Sequence, residues 1–327
     1  ILQKYLKEYG IKIKMSHKTN LKKISGIVFM IDGDIYGPPF VDFINESLLH
    51  KLDPSKTIKI SMTEHMNFWD VYHHFIDKID YAFFSNHHMI DQMKDEFKKY
   101  NGKIIESSKD CYVDTKKSYK SEKNIFIGNT KFDNIPSKED ILKKFNLSKD
   151  EKYCLVLYPK MTKNYSSQEL LNIYRYIHQL GFKIIVKTRP KHIKTVPKEH
   201  QGDHFIVSDI FPNESVELMK VCQLCIIASS SANEETVYSE IPCIDIICDF
   251  RTWGRNEYLV DNKINVRIEN KIWRKMSFED FKKVFDNLEK KESEYFKKIK
   301  TKYLFTHNNT SERIFNFIKE KYSNILK

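Results

Sequence analysis

Residues 225–247 read Cys-Ile-Ile-Ala-Ser-Ser-Ser-Ala-Asn-Glu-Glu-Thr-Val-Tyr-Ser-Glu-Ile-Pro-Cys-Ile-Asp-Ile-Ile. Cys225 to Ala228 is a short apolar run of the kind a buried strand shows, and the three serines after it bend the chain. A helix is predicted from Asn233 to Ser239 and a second buried strand from Cys243 to Ile247. The same alternation extends backwards through strands at Cys154–Leu157, Lys183–Lys187 and Phe205–Val207. Helices at Ser167–Gln179, ended by Gly181, and at Asn213–Val221 lie between them. Strands alternating with helices are the pattern of a parallel, doubly wound α/β sheet.

The first half repeats the pattern. Strands are predicted at Gly26–Ile31, Thr57–Ser61, Tyr81–Phe84 and Asn124–Ile127, with helices over 40–52 and 69–76. Ahead of them, residues 2–9 read as a helix ended by Gly10, and Ile11, Ile13 and Met15 alternate as in a half-buried strand. The polar, lysine-rich residues 107–123 read as a loop, and Asp133 to Glu151 as a linker with one short amphipathic helix. From Ser277 to Tyr303 apolar residues recur at helical spacing, and a last helix covers Ser311–Tyr322. The expected organisation is two Rossmann-like domains facing a cleft, over 1–135 and 150–305, followed by a tail over 306–327.

Composition agrees with two domains in 327 residues. With 41% apolar and 30% charged residues the chain can bury a core, which excludes global disorder. Nine glycines and nine prolines are too few for collagen-like or turn-dense all-β architectures. No apolar run reaches the ~18 residues of a membrane helix, and no secretory leader opens the chain, so a cytoplasmic protein is expected. Six cysteines are too sparse for a disulfide scaffold, and reduced thiols follow. The formal charge of +11 favours an anionic partner: a nucleotide diphosphate, a nucleic acid or an acidic membrane face. The lysines are spread as pairs along helical stretches, which argues against a dedicated nucleic-acid footprint and leaves peripheral contact with an anionic membrane open.

The chemistry concentrates at the serine bend. Ser229, Ser230 and Ser231 would aim free backbone N–H groups and a helix N-terminus at one spot, where a diphosphate is stabilised. Ser231 would serve equally as an ordinary N-cap, with Glu234 at N3 completing a capping box. Glu235 sits one turn into the helix, where a carboxylate can accept hydrogen bonds from ribose hydroxyls; the alternative is a solvated acid on the helix face.

Ser-Ser-Ser-Ala-Asn-Glu-Glu followed by Glu240-Ile-Pro242 resembles the donor-binding segment of GT-B glycosyltransferases and of the related UDP-N-acetylglucosamine 2-epimerases, in which a small-residue loop, two acids and a G-x-P turn occur in that order. Gly33-Asp34 after a strand, Glu64, Gly128-Asn-Thr-Lys-Phe-Asp133 and Lys187-Thr-Arg-Pro190 fall in the matching order. His307-Asn-Asn-Thr-Ser-Glu-Arg313 resembles the tail of CDP-glycerol and capsule-polymer transferases, and by that likeness the last helix returns to the first domain. The resemblance implies that Ser229–Ser231, Lys187 and Arg189 hold the donor diphosphate and Glu235 the ribose, with Glu234, Thr130 and Lys160 in the same donor-binding set.

Two departures bear on the reaction. The epimerases carry His-Arg-x-Glu-Asn after the first strand of the second domain, where this chain has Tyr158-Pro-Lys160-Met-Thr162-Lys-Asn164. A second acid after Glu64 is also lacking, so the proton abstraction that epimerisation needs loses its groups. Transfer to a hydroxyl acceptor needs one base, and Asp34, Glu64 and His65 are the candidates, each just past a predicted strand end. His65 has the best-matched ordinary pKa.

Three other patterns carry less. Asp32-Gly-Asp34 spells a metal-binding Asp-x-Asp, but three residues without the matching chain order are a weak signal. Cys222, Cys225, Cys243 and Cys248 adjoin apolar strands and read as core residues rather than zinc ligands. His73-His74 and His87-His88 lie on predicted helices, where adjacent side chains point apart. The expected function is transfer of a sugar from a nucleotide-diphosphate donor, UDP-linked by preference, to a glycan or other hydroxyl acceptor, without metal or other cofactor. The alternatives are transfer of a CDP-linked polyol phosphate, a 2-epimerase-like reaction, non-catalytic nucleotide-sugar binding and RNA binding.

Overall fold

The computed structural model describes residues 26–31, 53, 55, 57–62, 79–84, 104–108, 111–114, 123–158, 167–188, 196–208, 214–228, 232–246, 265–266, 277–288, 290–303 and 309–322. The chain divides into two compact units, Ile1–Asn134 with Lys302–Lys327, and Ile135–Thr301.

The first unit contains β1 (Gly26–Ile31), β2 (Thr57–Met62), β3 (Tyr81–Phe84), β4 (Ile104–Ser108), β5 (Cys111–Asp114) and β6 (Asn124–Phe126). Four of these make an all-parallel sheet in the order β1-β2-β3-β6. Ile60, Ala82, Phe83 and Phe84 are buried, as expected of strands covered on both faces. β4 and β5 form a separate antiparallel hairpin with an irregularity between Glu106 and Ser108. This corrects the loop predicted from residue 107 onward: β4 begins ahead of that loop at Ile104 and Ile105, and strands of five and four residues are too short to show a period. The predicted elements before residue 26 and the helices over 40–52 and 69–76 lie outside the described residues.

The C-terminal helix, Thr310–Lys321, belongs to this first unit. Ile314 and Ile318, four residues apart on one face, enter a core with Ile60, Phe83 and Ile127. Phe317 packs edge-on against Tyr81 and Phe83, with ring centroids 5.0 and 5.3 Å apart. The helix has no cap of its own, since Asn309 makes no side-chain cap bond. Asp133 supplies one from 177 residues away in sequence: its carboxylate accepts the N–H groups of Thr310 and Ser311 and the Ser311 hydroxyl, each at 2.8 Å. Arg313 then donates to the Ile127 carbonyl at 3.0 Å.

The second unit contains β7 (Lys152–Leu157), β8 (Phe182–Thr188), β9 (His204–Val207), β10 (Leu224–Ile227), β11 (Cys243–Asp245) and β12 (Asn265–Val266). Its helices are α1 (Lys138–Lys144), α2 (Ser167–Gln179), α3 (Glu214–Val221), α4 (Asn233–Tyr238), α5 (Phe278–Phe285) and α6 (Glu294–Tyr303), which runs across the boundary at Thr301. All strands are parallel, in the order β12-β11-β10-β7-β8-β9. One face is covered by α2, through Leu170, Ile173, Tyr174 and Ile177, and by Phe281 of α5. The other is covered by Ile141, Leu218, Met219 and Ala232 from the segments of α1, α3 and α4. Gly181 ends α2 at φ +81, the left-handed position where glycine is favoured.

One expectation changes here. The helical spacing over 277–303 breaks into α5 and α6, because the intervening loop caps another helix. Lys291 donates to the carbonyls of Met219 at 2.9 Å and Lys220 at 3.0 Å, and to that of Cys222, satisfying the end of α3. Cys154, Cys222, Cys225 and Cys243 are free thiols buried among the apolar residues. Among the described residues no group of His, Cys, Asp and Glu could hold a metal ion, and no helix is long and apolar enough to cross a membrane.

Removing the Asp133 carboxylate leaves buried N–H groups at the head of the C-terminal helix. Asp133→Ala is expected to cost about 2–4 kcal/mol in urea unfolding and to speed hydrogen exchange over 310–321 first, with Asp133→Asn falling in between.

Candidate functional site

The strand order in the second unit defines a special position. From β7 the chain winds outward through β8 and β9 on one side, then returns to wind through β10, β11 and β12 on the other. The helices that follow β7 and β10 pack on opposite faces of the sheet, so the carboxyl ends of these two strands mark the switch point at which open α/β sheets bind ligands. β7 ends at Leu157 and Tyr158. β10 ends at Ile227 and Ala228, immediately before the three serines.

Beyond those serines the chain enters α4. Ala232, just ahead of it, is itself in the right-handed helical conformation and makes no side-chain cap bond, while Ser231, the predicted N-cap, lies outside the described residues. Glu234 and Glu235 both fall in the first turn. Two acids in a first turn complement the positive end of the helix. Glu234 is only 2% exposed. Glu235 is half-buried, and its charge reaches Cys225 of β10, whose thiol is pushed up by burial, by its hydrogen bond with Cys243 and by Glu235. Glu235 is therefore not a fully solvated acid on an outer helix face.

Lys187 lies at the end of β8, paired in register with Leu157. It is 7% exposed, and part of its charge is answered inside the protein. Burial would raise the Glu214 carboxyl at the head of α3, but Ser208, then Lys144 and last the charge of Lys187 outweigh it and hold the group below its ordinary range. Lys144 of α1 stands 3.1 Å from Glu214 and 2.6 Å from Glu217.

Tyr158 makes the most defined polar contact at this edge. Its hydroxyl lies 2.8 Å from Nδ1 of His200, a histidine with no solvent exposure. The His200 carbonyl accepts from Tyr174 of α2 at 3.3 Å. Burial, with the charge of Glu199 adding to it, pushes the Tyr158 phenol up to about 12, so the hydroxyl keeps its proton at neutral pH. The sequence reading missed this pair as a feature of the site, because the two residues are 42 positions apart with no motif linking them.

The predicted site residues fall in different places. Glu234, Glu235 and Lys187 all lie in the second unit, the two acids beyond the carboxyl end of β10 and Lys187 in the last two residues of β8. Thr130 lies in the first unit, opening a single 3-10 turn (Thr130–Phe132) whose cap residue is Asp133. Ser229, Ser230, Ser231, Arg189, Lys160, Asp34, Glu64 and His65 lie outside the described residues, as do Asp32 and both histidine pairs. A cavity of about 450 Å³ opens at the opposite edge of the same sheet, between Tyr153 at the start of β7, Gln223 before β10, and Lys220 and Lys291. Of its lysines, Lys291 is committed to backbone carbonyls at the end of α3, Lys220 to that of Pro136 at 3.1 Å, and Lys138 to the Glu292 carboxylate at 3.0 Å.

No family model matches the chain, and no curated protein matches it. Solved structures do. The S. aureus MnaA–UDP co-structure shares 14% identity over 99% of this chain and 79% of its own, at a TM-score of 0.52. The wall teichoic acid polymerase TagF, soaked with CDPG, shares 10% identity over 100% of this chain and 86% of its own, at 0.55, and a second TagF structure matches equally. At such identities the likeness is one of fold. The chain has the two parallel α/β sheets of GT-B enzymes.

Tyr158→Phe is expected to destabilise the protein by about 1–3 kcal/mol, since the buried imidazole loses the phenol. The contribution has a pH signature. Below about pH 10 both folded and unfolded phenols keep their proton and it is present in full. As pH rises the unfolded phenol ionises first, so the contribution fades and is lost as pH passes about 12. Denaturation followed against pH in both proteins checks the sign.

Proposed function

We propose that the protein binds a nucleotide-diphosphate sugar at the carboxyl edge of the second sheet and transfers its sugar to a hydroxyl acceptor. The reading is carried by one observation: the segment Ser229-Ser-Ser-Ala-Asn-Glu-Glu235 follows the strand at which the order of the sheet reverses. In this reading the serine backbone, Lys187 and Arg189 hold the diphosphate as negative charge grows on it, and Lys160 and Thr130 belong to the same donor set. Glu235 accepts the ribose hydroxyls, and the buried Glu234 supports the same turn. Asp34, Glu64 or His65 removes the acceptor proton, the acceptor oxygen attacks the anomeric carbon, and the nucleotide diphosphate departs. No metal is needed where lysine and arginine neutralise the leaving group.

The fold shared with structures holding UDP and CDPG supports a nucleotide-linked donor and makes both bases arms of the test. A second reading, transfer of a polyol phosphate with attack at phosphorus, draws on the TagF likeness. It differs in releasing CMP rather than a nucleoside diphosphate. An anionic membrane surface as the place of the acceptor is compatible with the +11 charge.

UDP or CDP at ~100 times its dissociation constant adds about 2.7 kcal/mol, which raises Tm by roughly 5–10 °C for a unit of this size. Glu235→Ala is expected to abolish the shift. If neither UDP nor CDP, nor any sugar or polyol conjugate of them, stabilises the wild-type protein, the nucleotide reading fails.

A further inference from the structure

Helix α4 is six residues long, and it is held at its far end in an unusual way. The N–H of Glu240 donates to the Val237 carbonyl at 3.1 Å, and that of Ile241 to Thr236 at 3.0 Å. This pair of bonds is a Schellman turn, whose first residue beyond the cap must be left-handed and is usually glycine. Here it is Glu240, at φ +51. A side chain in that conformation crowds its own carbonyl, so something outside the helix has to hold it.

The α6 segment does so. Lys300 Nζ stands 3.2 Å from Glu240 Oε1, with both side chains about four-fifths buried, at 22% and 18% exposure. The same ammonium lies 4.6 Å from the centre of the Tyr238 ring, in the last turn of α4. Just ahead of α6, the N–H of Glu292 donates to the Glu240 carbonyl at 3.1 Å. Ionic, cation–π and backbone contacts therefore converge on a single residue from one neighbouring segment.

We propose that Glu240 and Lys300 are a positioning pair for the nucleotide site, with their ion pair doing at this turn what a glycine would do unaided. This role rests on the nucleotide reading above. In so short a helix nothing buffers one end from the other. Ser239 N–H bonds the carbonyl of Glu235 itself, at 3.0 Å, and the Schellman acceptors Thr236 and Val237 are the next two residues. If the turn relaxes, the backbone that aims Glu235 moves with it.

Four variants test the pair: Glu240→Ala, Lys300→Met, Glu240→Gly, and the double variant Glu240→Gly with Lys300→Met. Affinity for UDP and for CDP is measured by calorimetry and stability by urea unfolding. Glu240→Ala keeps the left-handed strain and loses the ion pair, and Lys300→Met loses the pair directly. Each is expected to weaken nucleotide binding by the folded protein about tenfold. Glu240→Gly adopts the turn without strain and is expected to rescue binding. In that background Lys300→Met is expected to change affinity less than about twofold, the coupling that a double-mutant cycle isolates. A purely structural pair would lower the unfolding midpoint and leave the affinity of the folded protein alone, which overturns the proposal. So does a Lys300→Met penalty that is undiminished when combined with Glu240→Gly. Binding of neither nucleotide by the wild type removes the nucleotide reading and the positioning role together, whereas unchanged affinity in Glu240→Ala and Lys300→Met removes only the latter.

Discussion

Strand β7 is paired on both sides, by β8 over six register positions and by β10 over three, so its backbone has no free edge along most of its length. Cys154, Leu155 and Val156 have no exposure, and each fully buried aliphatic side chain of this size is worth about 1.5–3 kcal/mol against solvent. A strand in that position obliges the rest of the unit to lie on either side of it. Because the strands are parallel and the helices after β7 and β10 pack on opposite faces, the switch point between these two strands is a consequence of the winding. The candidate site inherits its place from that constraint, before any particular side chain is considered.

Around this frame the polar groups are disposed to tie sequence-distant segments together. Asp133 caps a helix that begins 177 residues later. Lys291 closes the carbonyl end of α3, and Lys144 joins α1 to Glu214 and Glu217 of α3. Each places a charge where backbone dipoles or an opposite charge answer it, the condition under which buried ions are tolerated. The Tyr158–His200 contact differs in lying at the carboxyl edge itself, with a phenol that stays protonated and only part of its surface covered.

Much of the fold was legible from local pattern. The strands at 26–31 and 81–84 and the helix at 167–179 begin and end where the apolar period and the turn residues predict. The errors have a common origin. β4 and β5 were missed because strands of five and four residues are too short to show an alternating period. The break between α5 and α6 was missed because residues 286–293 are set by what they touch on α3 rather than by their own spacing.

The sequence by itself determined the α/β class, the parallel winding and the identity of the segment beyond β10, since these follow from local periodicity and from residue types with strong turn and strand preferences. Only the tertiary structure decided which strand lies beside which, and therefore that this segment stands where the winding reverses. It also decided that Glu235 is half-buried, that Lys187 is buried, and that Glu240 takes a left-handed turn beside Lys300. Those facts depend on contacts between residues tens of positions apart, and no local preference encodes the partner across such a distance.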